Sequence, residues 1–564
     1  MFSVPAFTLL FVLTPSIILA HTLPIFFVQS TFQGPSRAQN LHRKLYQKDG
    51  EPTYVDSRLI IRGPNNSTTF ELDTHSGGIW SADNTRLWNT SHAKHPSEFV
   101  KANKTCRDAA EDLIKKYKLV PHTEESSPVT FEFAGISGTQ LSNENGHANG
   151  SKFTREEFQL DISANYIAKV KVPGQGNLPV IGGGGNFQFT FEQNSRLIGY
   201  HGVWRDVQGK GVDYPVIPQT ESDSQYKNAT SSLNILNFTS TLAYYSAPFG
   251  TVQNYLYPVY IYHATAKFGN ETVQLRETLL PATTFLLEPQ TLPLKPDCAA
   301  PIEKIPKPTH PSKSRRSALI PRQSKTWGFG TEWLGVPWGL PGSQANAAGV
   351  SNLLFDGLFS GVFGGLFGGG AKWTQKFNWG NTFVWETDWD AEDSVWVDSA
   401  DLVFYTGHAN GNGWVTATPT NDAFVHHEVV GTFPQIPGNL WGHENLKWLV
   451  IAACGPHQDD RIVAGGGNAF DRWRGAFDGL HVFMGYATES IDTTGEGSGI
   501  VKYARGGDTL VNSWFRAAKE VQRRGVWVTA MWSGNSGQDH LPGHGGMETD
   551  PPISTQRWLL WSQV

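Results

Sequence analysis

Two apolar runs in the second half of this chain end in residues that could work together as a nucleophile and a base. One run, 446–454, ends in Cys454, and the other, 401–408, ends in His408. Both runs have the length and composition of buried strands, and loops containing glycine follow them. Reactive groups in an open α/β sheet lie where parallel strands end at their carboxyl edge. If these two strands are neighbours, a thiol and an imidazole meet there, as a cysteine nucleophile with a histidine base requires.

The cysteine content bears on which thiol is free. The chain has three cysteines, and an odd number in a secreted protein leaves one unpaired. Cys106 and Cys298 are the candidates for a disulfide, which leaves Cys454 as the free thiol. A free cysteine can also be a small core residue without chemistry, but a strand end beside a Gly-Pro pair favours an exposed one. The backbone N–H groups of Cys454 and Ala409 are candidate oxyanion donors.

The elements that position these residues belong to a large globular protein. The chain has 564 residues, of which 39% are hydrophobic and 17% charged, so two or three domains are expected. We predict a signal peptide at 1–20, an α+β and β-rich N-terminal domain at 21–298, a basic proline-rich linker at 299–325 and an α/β domain at 326–564. A membrane anchor is the alternative for 1–20, although Pro15 and the short apolar run argue against a span. No later transmembrane segment and no basic patch for nucleic acid are predicted.

Secretion is also indicated by glycosylation motifs, all of which precede residue 271. These Asn-x-Ser/Thr sites begin at Asn65, Asn66, Asn89, Asn103, Asn149, Asn228, Asn237 and Asn270. In the linker, Arg315 and Arg316 resemble a kexin-type processing site, which makes such a protease a candidate partner. The alternative is a basic linker that is never cut.

Periodicity predicts the individual elements. In the N-terminal half we expect a helix over 97–119 and strands over 129–133, 158–162, 166–172, 186–192, 197–204, 256–266 and 272–279. In the C-terminal half we expect further strands over 480–486 and 526–532 and a helix over 508–524. The segment 351–370 combines a Leu/Phe face with glycines. It is predicted to pack between domains, with a lid or a membrane-surface segment as alternatives.

The two motifs together resemble a known group of enzymes. A strand ending in Gly407-His408, followed by a hydrophobic strand ending in Ala453-Cys454-Gly455, is similar to the clan CD cysteine peptidases, which include caspases, legumains, clostripains and gingipains. The resemblance implies a caspase-like open α/β sheet with His408 and Cys454 as the dyad. Alanine follows the histidine where that clan usually has glycine, and the caspase Gln-Ala-Cys-Arg-Gly signature is absent, so what the chain resembles is a divergent member of the clan. The region 97–210 loosely resembles a protease propeptide.

The resemblance also implies a function and a pocket. We expect a secreted cysteine peptidase or transpeptidase that acts on a peptide or protein substrate without a metal or cofactor. It would be made as a proprotein whose N-terminal domain blocks the site. The loop 487–492 would line the specificity pocket through Thr488, Glu489 and Asp492. If one of these carboxylates points inward, a basic residue before the cleaved bond would be preferred.

Two other functions remain open. The tryptophan-rich C-terminal half could belong to a non-catalytic secreted protein that binds glycan or peptide on the same fold. The acidic run 388–398, which lies beside tryptophans, could serve a glycoside hydrolase. The histidines at 426, 427, 540 and 544 lack the His-Glu-x-x-His spacing of a zinc helix, so no metal is predicted.

Overall fold

The computed structural model describes most of both halves of the chain. The residues described are 22–31, 35–46, 50–55, 57–63, 68–121, 127–145, 153–285, 326–355, 371–417, 423–432, 436–437, 441–552 and 556–564. The predicted signal peptide and linker lie outside them, as do Asn65, Asn66, Asn149, Cys298, Arg315 and Arg316.

The N-terminal half folds mainly as β-strands, because its apolar residues recur at the two-residue period of a strand. Its strands are Thr22–Ser30 (β1), Pro52–Val55 (β2), Arg58–Arg62 (β3), Thr68–Asp73 (β4), Ile79–Asp83 (β5), Val129–Ser137 (β6), Gln140–Asn145 (β7), Thr154–Gln159 (β8), Ile162–Val172 (β9), Gly176–Ile181 (β10), Asn186–Phe191 (β11), Leu197–Gly202 (β12), Arg205–Pro215 (β13), Asn234–Tyr245 (β14), Tyr255–Phe268 (β15), Glu271–Gln274 (β16) and Thr278–Pro281 (β17). Its helices are Pro35–Tyr46 (α1), Val100–Tyr117 (α2) and Gln219–Ala229 (α3). Every strand of this half except β7 and β8 joins one 15-stranded sheet.

The C-terminal half combines strands with helices that lie between some of them. Its strands are Trp327–Trp333 (β18), Trp373–Gly380 (β19), Leu402–Thr406 (β20), Ala409–Asn410 (β21), Gly413–Val415 (β22), Phe424–His426 (β23), Gly431–Thr432 (β24), Ile436–Pro437 (β25), Trp448–Ala452 (β26), Val482–Tyr486 (β27), Trp527–Ser533 (β28) and Arg557–Gln563 (β29). Its helices are Ser343–Phe355 (α4), Ala469–Trp473 (α5), Glu496–Arg505 (α6) and Leu510–Val521 (α7). In the described ranges, no helix has both the length and the apolar character needed to cross a membrane.

A nine-stranded mixed sheet forms the centre of the C-terminal half, in the order β19-β18-β20-β26-β27-β28-β29-β7-β8. The strands from β19 to β27 run parallel to their neighbours, and the later pairs are antiparallel. The hairpin β7–β8 comes from the predicted N-terminal domain, so the predicted boundary at the linker does not separate the two sheets. The molecule is therefore β-rich with mixed sheets and relatively few helices.

The two strands that carry the motifs are neighbours. Strand β20 pairs in parallel with β26, and Thr406 lies opposite Ala452. Phe404 of β20 packs in the core that includes helices α4, α6 and α7. The adjacent Tyr405 packs on the other face, in an aromatic core with Trp414. Because both faces are covered, the strands read in the sequence as continuous apolar runs.

Two strands predicted from the sequence are interrupted in the structure. The run 158–162 breaks between β8 and β9, where Asp161 accepts the Thr139 backbone N–H at 2.9 Å. The run 272–279 breaks between β16 and β17. The intervening residues 275–277, called the strap below, enter the C-terminal half.

Cys298 lies outside the described residues, so its predicted disulfide with Cys106 stays a prediction. Cys106 lies on the buried face of α2 and forms no disulfide with another described residue. It packs in the hydrophobic core of the N-terminal half, where burial raises its pKa to about 12. An apolar helix face therefore accounts for this cysteine.

The described glycosylation motifs differ in accessibility. Asn103, Asn228, Asn237 and Asn270 are exposed. Asn89 is half-buried, and its side-chain amide donates to the Thr85 carbonyl at 3.0 Å. Its side-chain oxygen also accepts the Ser91 N–H. The Asn89 side chain is thus engaged in local structure, whereas the other four face solvent.

A buried charge network joins the two halves. Arg58 of β3 contacts Glu71 at 3.2 Å and Glu520 of α7 at 3.1 Å. Arg516 of α7 contacts the same two carboxylates, at 2.6 Å and 3.3 Å. All four side chains are nearly inaccessible to solvent. Because each charge depends on partners from the other half, the network resists separation of the halves.

Replacing Glu71 by glutamine should therefore destabilise the protein. Removing one partner of a buried ion pair costs about 3–5 kcal/mol, since the remaining charges stay buried. Urea unfolding of Glu71→Gln measures the loss, and Glu111→Gln is the matched control, because Glu111 pairs with Arg107 at the exposed surface. Equal stability of the two variants would contradict the structural role of the network.

Candidate active site

His408 and Cys454 occupy equivalent positions at the carboxyl edge of the mixed sheet. Each follows by two residues a member of the Thr406–Ala452 pair, which lies at the ends of β20 and β26. Gly407 makes the first turn possible, because a Cβ there would lie 2.1 Å from the Tyr405 hydroxyl oxygen. The sheet therefore places the two residues that the sequence selects just beyond the ends of neighbouring strands.

The His408 ring is held by two backbone groups. Its Nε2–H donates to the Trp338 carbonyl at 2.9 Å, and its Nδ1 accepts the backbone N–H of Arg276 at 3.2 Å. Trp338 follows β18, the neighbour of β20 on the other side. Burial, with the nearby Arg276 charge, lowers the pKa of His408 to about 4, although the Trp338 hydrogen bond opposes this shift. The imidazole is therefore neutral at physiological pH.

The Cys454 thiol is also buried and neutral. Its Sγ accepts the Ser490 N–H at 3.3 Å and lies 3.7 Å from the Ser490 hydroxyl. Burial is the main cause that raises the thiol pKa to about 12, and the Glu489 charge adds to it. The residue is 2% exposed, so a reagent cannot reach the sulfur without a change in its surroundings.

The strap brings a buried cation into this crevice. The Arg276 guanidinium donates through one terminal nitrogen to Thr406 Oγ1 at 3.1 Å and to the Ala452 carbonyl at 2.7 Å. Its other terminal nitrogen donates to the Ile491 carbonyl and to both oxygens of Glu496, at 2.9 and 3.1 Å. Arg276 thus sits at the ends of the two strands that carry the dyad.

Glu496 is fixed by groups other than Arg276. Its carboxylate accepts the Tyr486 hydroxyl at 2.6 Å, the Gln522 amide at 2.7 Å and the Asn346 amide at 2.5 Å. These donors come from β27, α4 and the residue that follows α7. Three separate elements therefore hold the carboxylate in place for the guanidinium.

The strap backbone pairs with the loop that also surrounds Cys454. Glu277 N–H donates to the Ser490 carbonyl at 3.0 Å, and the Glu277 carbonyl accepts the Asp492 N–H at 3.3 Å. Glu277 and Ile491 form a parallel bridge. The buried Glu277 side chain forms two hydrogen bonds with Arg523. The strap is therefore bound by main chain as well as by side chains.

The loop residues predicted to line the pocket have other partners. Thr488 Oγ1 accepts the Trp527 N–H at 2.9 Å, and Glu489 contacts His263 at 3.2 Å. Asp492 accepts the Gly342 N–H at 2.6 Å, and burial raises its pKa to about 6. The carboxylate that binds the guanidinium is Glu496, four residues beyond the predicted loop. The oxyanion roles of Ala409 and Cys454 stay predictions.

Sequence reasoning missed Arg276, Glu496 and Trp338. Arg276 and Glu277 lie inside a run whose pattern otherwise predicts a strand. Two adjacent charged residues in such a run were the sequence feature that could have indicated a buried ionic role. No local pattern marks Glu496 or the Trp338 carbonyl, since their roles depend on contacts that are distant along the chain.

Several residues of the other candidate constellations have structural partners or are buried. Asp398 of the acidic run accepts four backbone N–H groups between residues 442 and 446. Trp389, Trp414, Trp441 and Trp473 are fully buried, so they offer no surface for a glycan.

In the part of the chain that is described, His263, Glu277 and Glu489 have ligand atoms within 4.8 Å of one another. The Arg523 cation on Glu277 opposes a metal ion there.

Comparisons with known proteins match part of the chain to a family model that has no assigned activity. Residues 368–563 match a family described as a domain of unknown function, DUF6345. This region contains His408 and Cys454 but not Arg276. No curated protein matches the chain. An uncharacterized protein from Eubacterium rectale ATCC 33656, known from a crystal structure, is similar over 47% of this chain and 87% of its own, at 9% identity and a TM-score of 0.28.

The two described cysteines provide an internal test of how the strap shields the site. Both thiols are buried with raised pKa values, so both should react slowly with iodoacetamide in the folded protein. Arg276→Ala should accelerate alkylation of Cys454 at least tenfold and leave Cys106 unchanged, because only Cys454 lies beneath the strap. Peptide mass mapping over time measures both rates. Parallel acceleration at the two sites would indicate general unfolding and contradict the shielding.

Proposed function

We propose that this protein is a secreted cysteine peptidase or transpeptidase, made as a proprotein whose N-terminal half holds it inactive. Cys454 is the nucleophile and His408 is the general acid and base. One observation carries the proposal: the two residues follow paired positions of adjacent parallel strands, at the sheet edge where reactive groups gather. The parallel strands β19 to β27, with helices packed on one face, are also compatible with a caspase-like sheet.

The chemistry follows from the two side chains. The Cys454 thiolate attacks the peptide carbonyl carbon, the sulfur–carbon bond forms, and the carbon–nitrogen bond breaks as protonated His408 gives its proton to the leaving amine. Water then attacks the thioester, which releases a carboxylic acid and restores the thiol. If another amine attacks instead of water, the product is a new peptide bond.

The hydrogen bonds of His408 support this role. The Trp338 carbonyl holds Nε2–H, so Nδ1 is the nitrogen that faces the strap. A histidine base oriented by a third group is the arrangement that nucleophilic catalysis uses. In the strap-bound form, Nδ1 is occupied by the Arg276 N–H and is not free to serve a substrate.

In the strap-bound form, neither the Cys454 thiol nor the His408 imidazole is in its charged, reactive state. With a thiol pKa of about 12 and an imidazole pKa of about 4, both groups are neutral between these values. Burial is the first cause of both shifts, so access of water should bring both pKa values back toward their ordinary range. Burial thus keeps the thiol protonated, although the Arg276 charge acts in the opposite direction and lowers the pKa of Cys454.

Peptidase activity should appear when the strap is weakened and should depend on the dyad. We expect full-length Arg276→Ala to hydrolyse peptide amides more rapidly than the wild-type chain. In that background, Cys454→Ala should reduce turnover to the limit of detection, and His408→Ala should lower it by about 10²–10⁴-fold. Release of a fluorophore from a mixture of peptide amides measures the rates.

Cys106→Ala in the same background is the matched control and should retain activity, because that thiol lies in a separate core. Circular dichroism confirms that the variants fold. Undiminished turnover in the folded Cys454→Ala variant would overturn the assignment.

A further inference from the structure

We infer that the pocket filled by Arg276 is the specificity pocket of the enzyme and that it selects arginine as the residue before the cleaved bond. The inference rests on the proposed function and goes further, because it names the substrate class. It makes Arg276 an internal mimic of the substrate residue.

The acceptors around Arg276 match the two terminal nitrogens of a guanidinium, whereas its buried Nε has no acceptor among the described residues. Thr406 and Ala452 accept from one terminal nitrogen, and Ile491 and Glu496 accept from the other. The side chains of Arg276 and Glu496 are both 0% exposed, so this contact takes place without water. A planar group with donors on two separate nitrogens is required to satisfy both sets.

A lysine side chain cannot meet the same requirement. Its ammonium group is a single point with three donors, so it cannot donate at both ends of the pocket at once. An ammonium bound to Glu496 would leave the Ala452 carbonyl without the donor it now has, and the Thr406 hydroxyl would retain only the Ser343 hydroxyl among the partners described here. Buried acceptors that lose a partner impose a desolvation penalty, so the pocket discriminates between the two basic residues.

An empty pocket would be unfavourable, because the Glu496 carboxylate would lose its only ionic partner among the contacts above. Tyr486, Gln522 and Asn346 supply neutral hydrogen bonds and no positive charge. When the strap leaves, another cation of the same shape is the natural occupant. A substrate arginine supplies that cation next to Cys454.

The strap itself is bound in a manner that resists cleavage. Cleavage after Arg276 would require a proton for the nitrogen of Glu277, which is the leaving amine. That nitrogen donates instead to the Ser490 carbonyl at 3.0 Å. His408 Nδ1 is occupied by the preceding amide, that of Arg276. His408 therefore faces the Arg276 nitrogen and not the Glu277 nitrogen that would need its proton. For this reason the strap occupies the pocket without being cleaved.

The pocket can be tested without catalysis by small mimics of the two basic side chains. In a full-length Cys454→Ala/Arg276→Ala variant, n-propylguanidine should bind by calorimetry and raise the melting temperature. The ammonium compound n-butylamine should bind at least tenfold more weakly. The Cys454→Ala variant alone should bind neither, because Arg276 fills its pocket. Adding Glu496→Gln should weaken propylguanidine binding at least tenfold.

Equal affinity for the two compounds would overturn the inference. A propylguanidine affinity that is unchanged by Glu496→Gln would also overturn it. If the Arg276→Ala chain does not fold alone, its refolding yield is the readout. Recovery with propylguanidine but not with butylamine supports a guanidinium pocket, whereas recovery with neither overturns it.

Cleavage-site profiling of active Arg276→Ala separates this inference from the proposed function. Cleavage of a peptide library should occur after arginine at least tenfold faster than after lysine. Cleavage at other residues, dependent on Cys454, would leave the peptidase in place and refute the arginine pocket. Propylguanidine binding without any cleavage would support the pocket and refute the peptidase.

Discussion

The ion pair between Arg276 and Glu496 is the contact on which the state of the candidate site depends. An arginine from the N-terminal half lies fully buried at the edge of the C-terminal sheet, where a charge is tolerated only with a close partner. With this side chain held, the Arg276 backbone N–H donates to His408 Nδ1, and the Glu277 N–H donates to the Ser490 carbonyl. The Ser490 N–H in turn donates to the Cys454 sulfur. One salt bridge thus anchors a segment that contacts His408 directly and Cys454 through Ser490.

The rest of the architecture keeps that contact in place. The hairpin β7–β8 completes the C-terminal sheet, and the network around Arg58 and Arg516 joins the N-terminal sheet to α7. The strap precedes residues 286–325 along the chain. A cut at Arg315 or Arg316 therefore leaves these contacts unbroken, and we expect activation to require movement of the strap as well as cleavage of the linker.

The sequence predicts the centre of the site because its two strands are buried on both faces. Such strands appear as uninterrupted apolar runs, and the change to glycine-containing loops marks where His408 and Cys454 begin to face the crevice. The helices over 97–119 and 508–524 are similarly clear, and the structure has α2 and α7 within them. These elements are governed by local periodicity, which a single sequence reveals.

The parts that the sequence does not reveal depend on contacts across the chain. Arg276 lies in a run that alternates like a strand, and only the position of the crevice shows why the strap leaves the sheet. The resemblance directed attention to Glu489 and Asp492, whereas the guanidinium meets Glu496 at the start of α6. Cys106, which the count of cysteines pairs with Cys298, lies on the apolar face of α2.

The most direct measurement is labelling with a peptidyl acyloxymethyl ketone, followed by mass mapping of the modified residue. We expect the wild-type chain to remain unlabelled and Arg276→Ala to be labelled at Cys454, with the signal lost when His408→Ala is added. Equal labelling of the wild-type chain would contradict the strap as an inhibitor. Absence of labelling at Cys454 in folded Arg276→Ala would contradict the dyad itself.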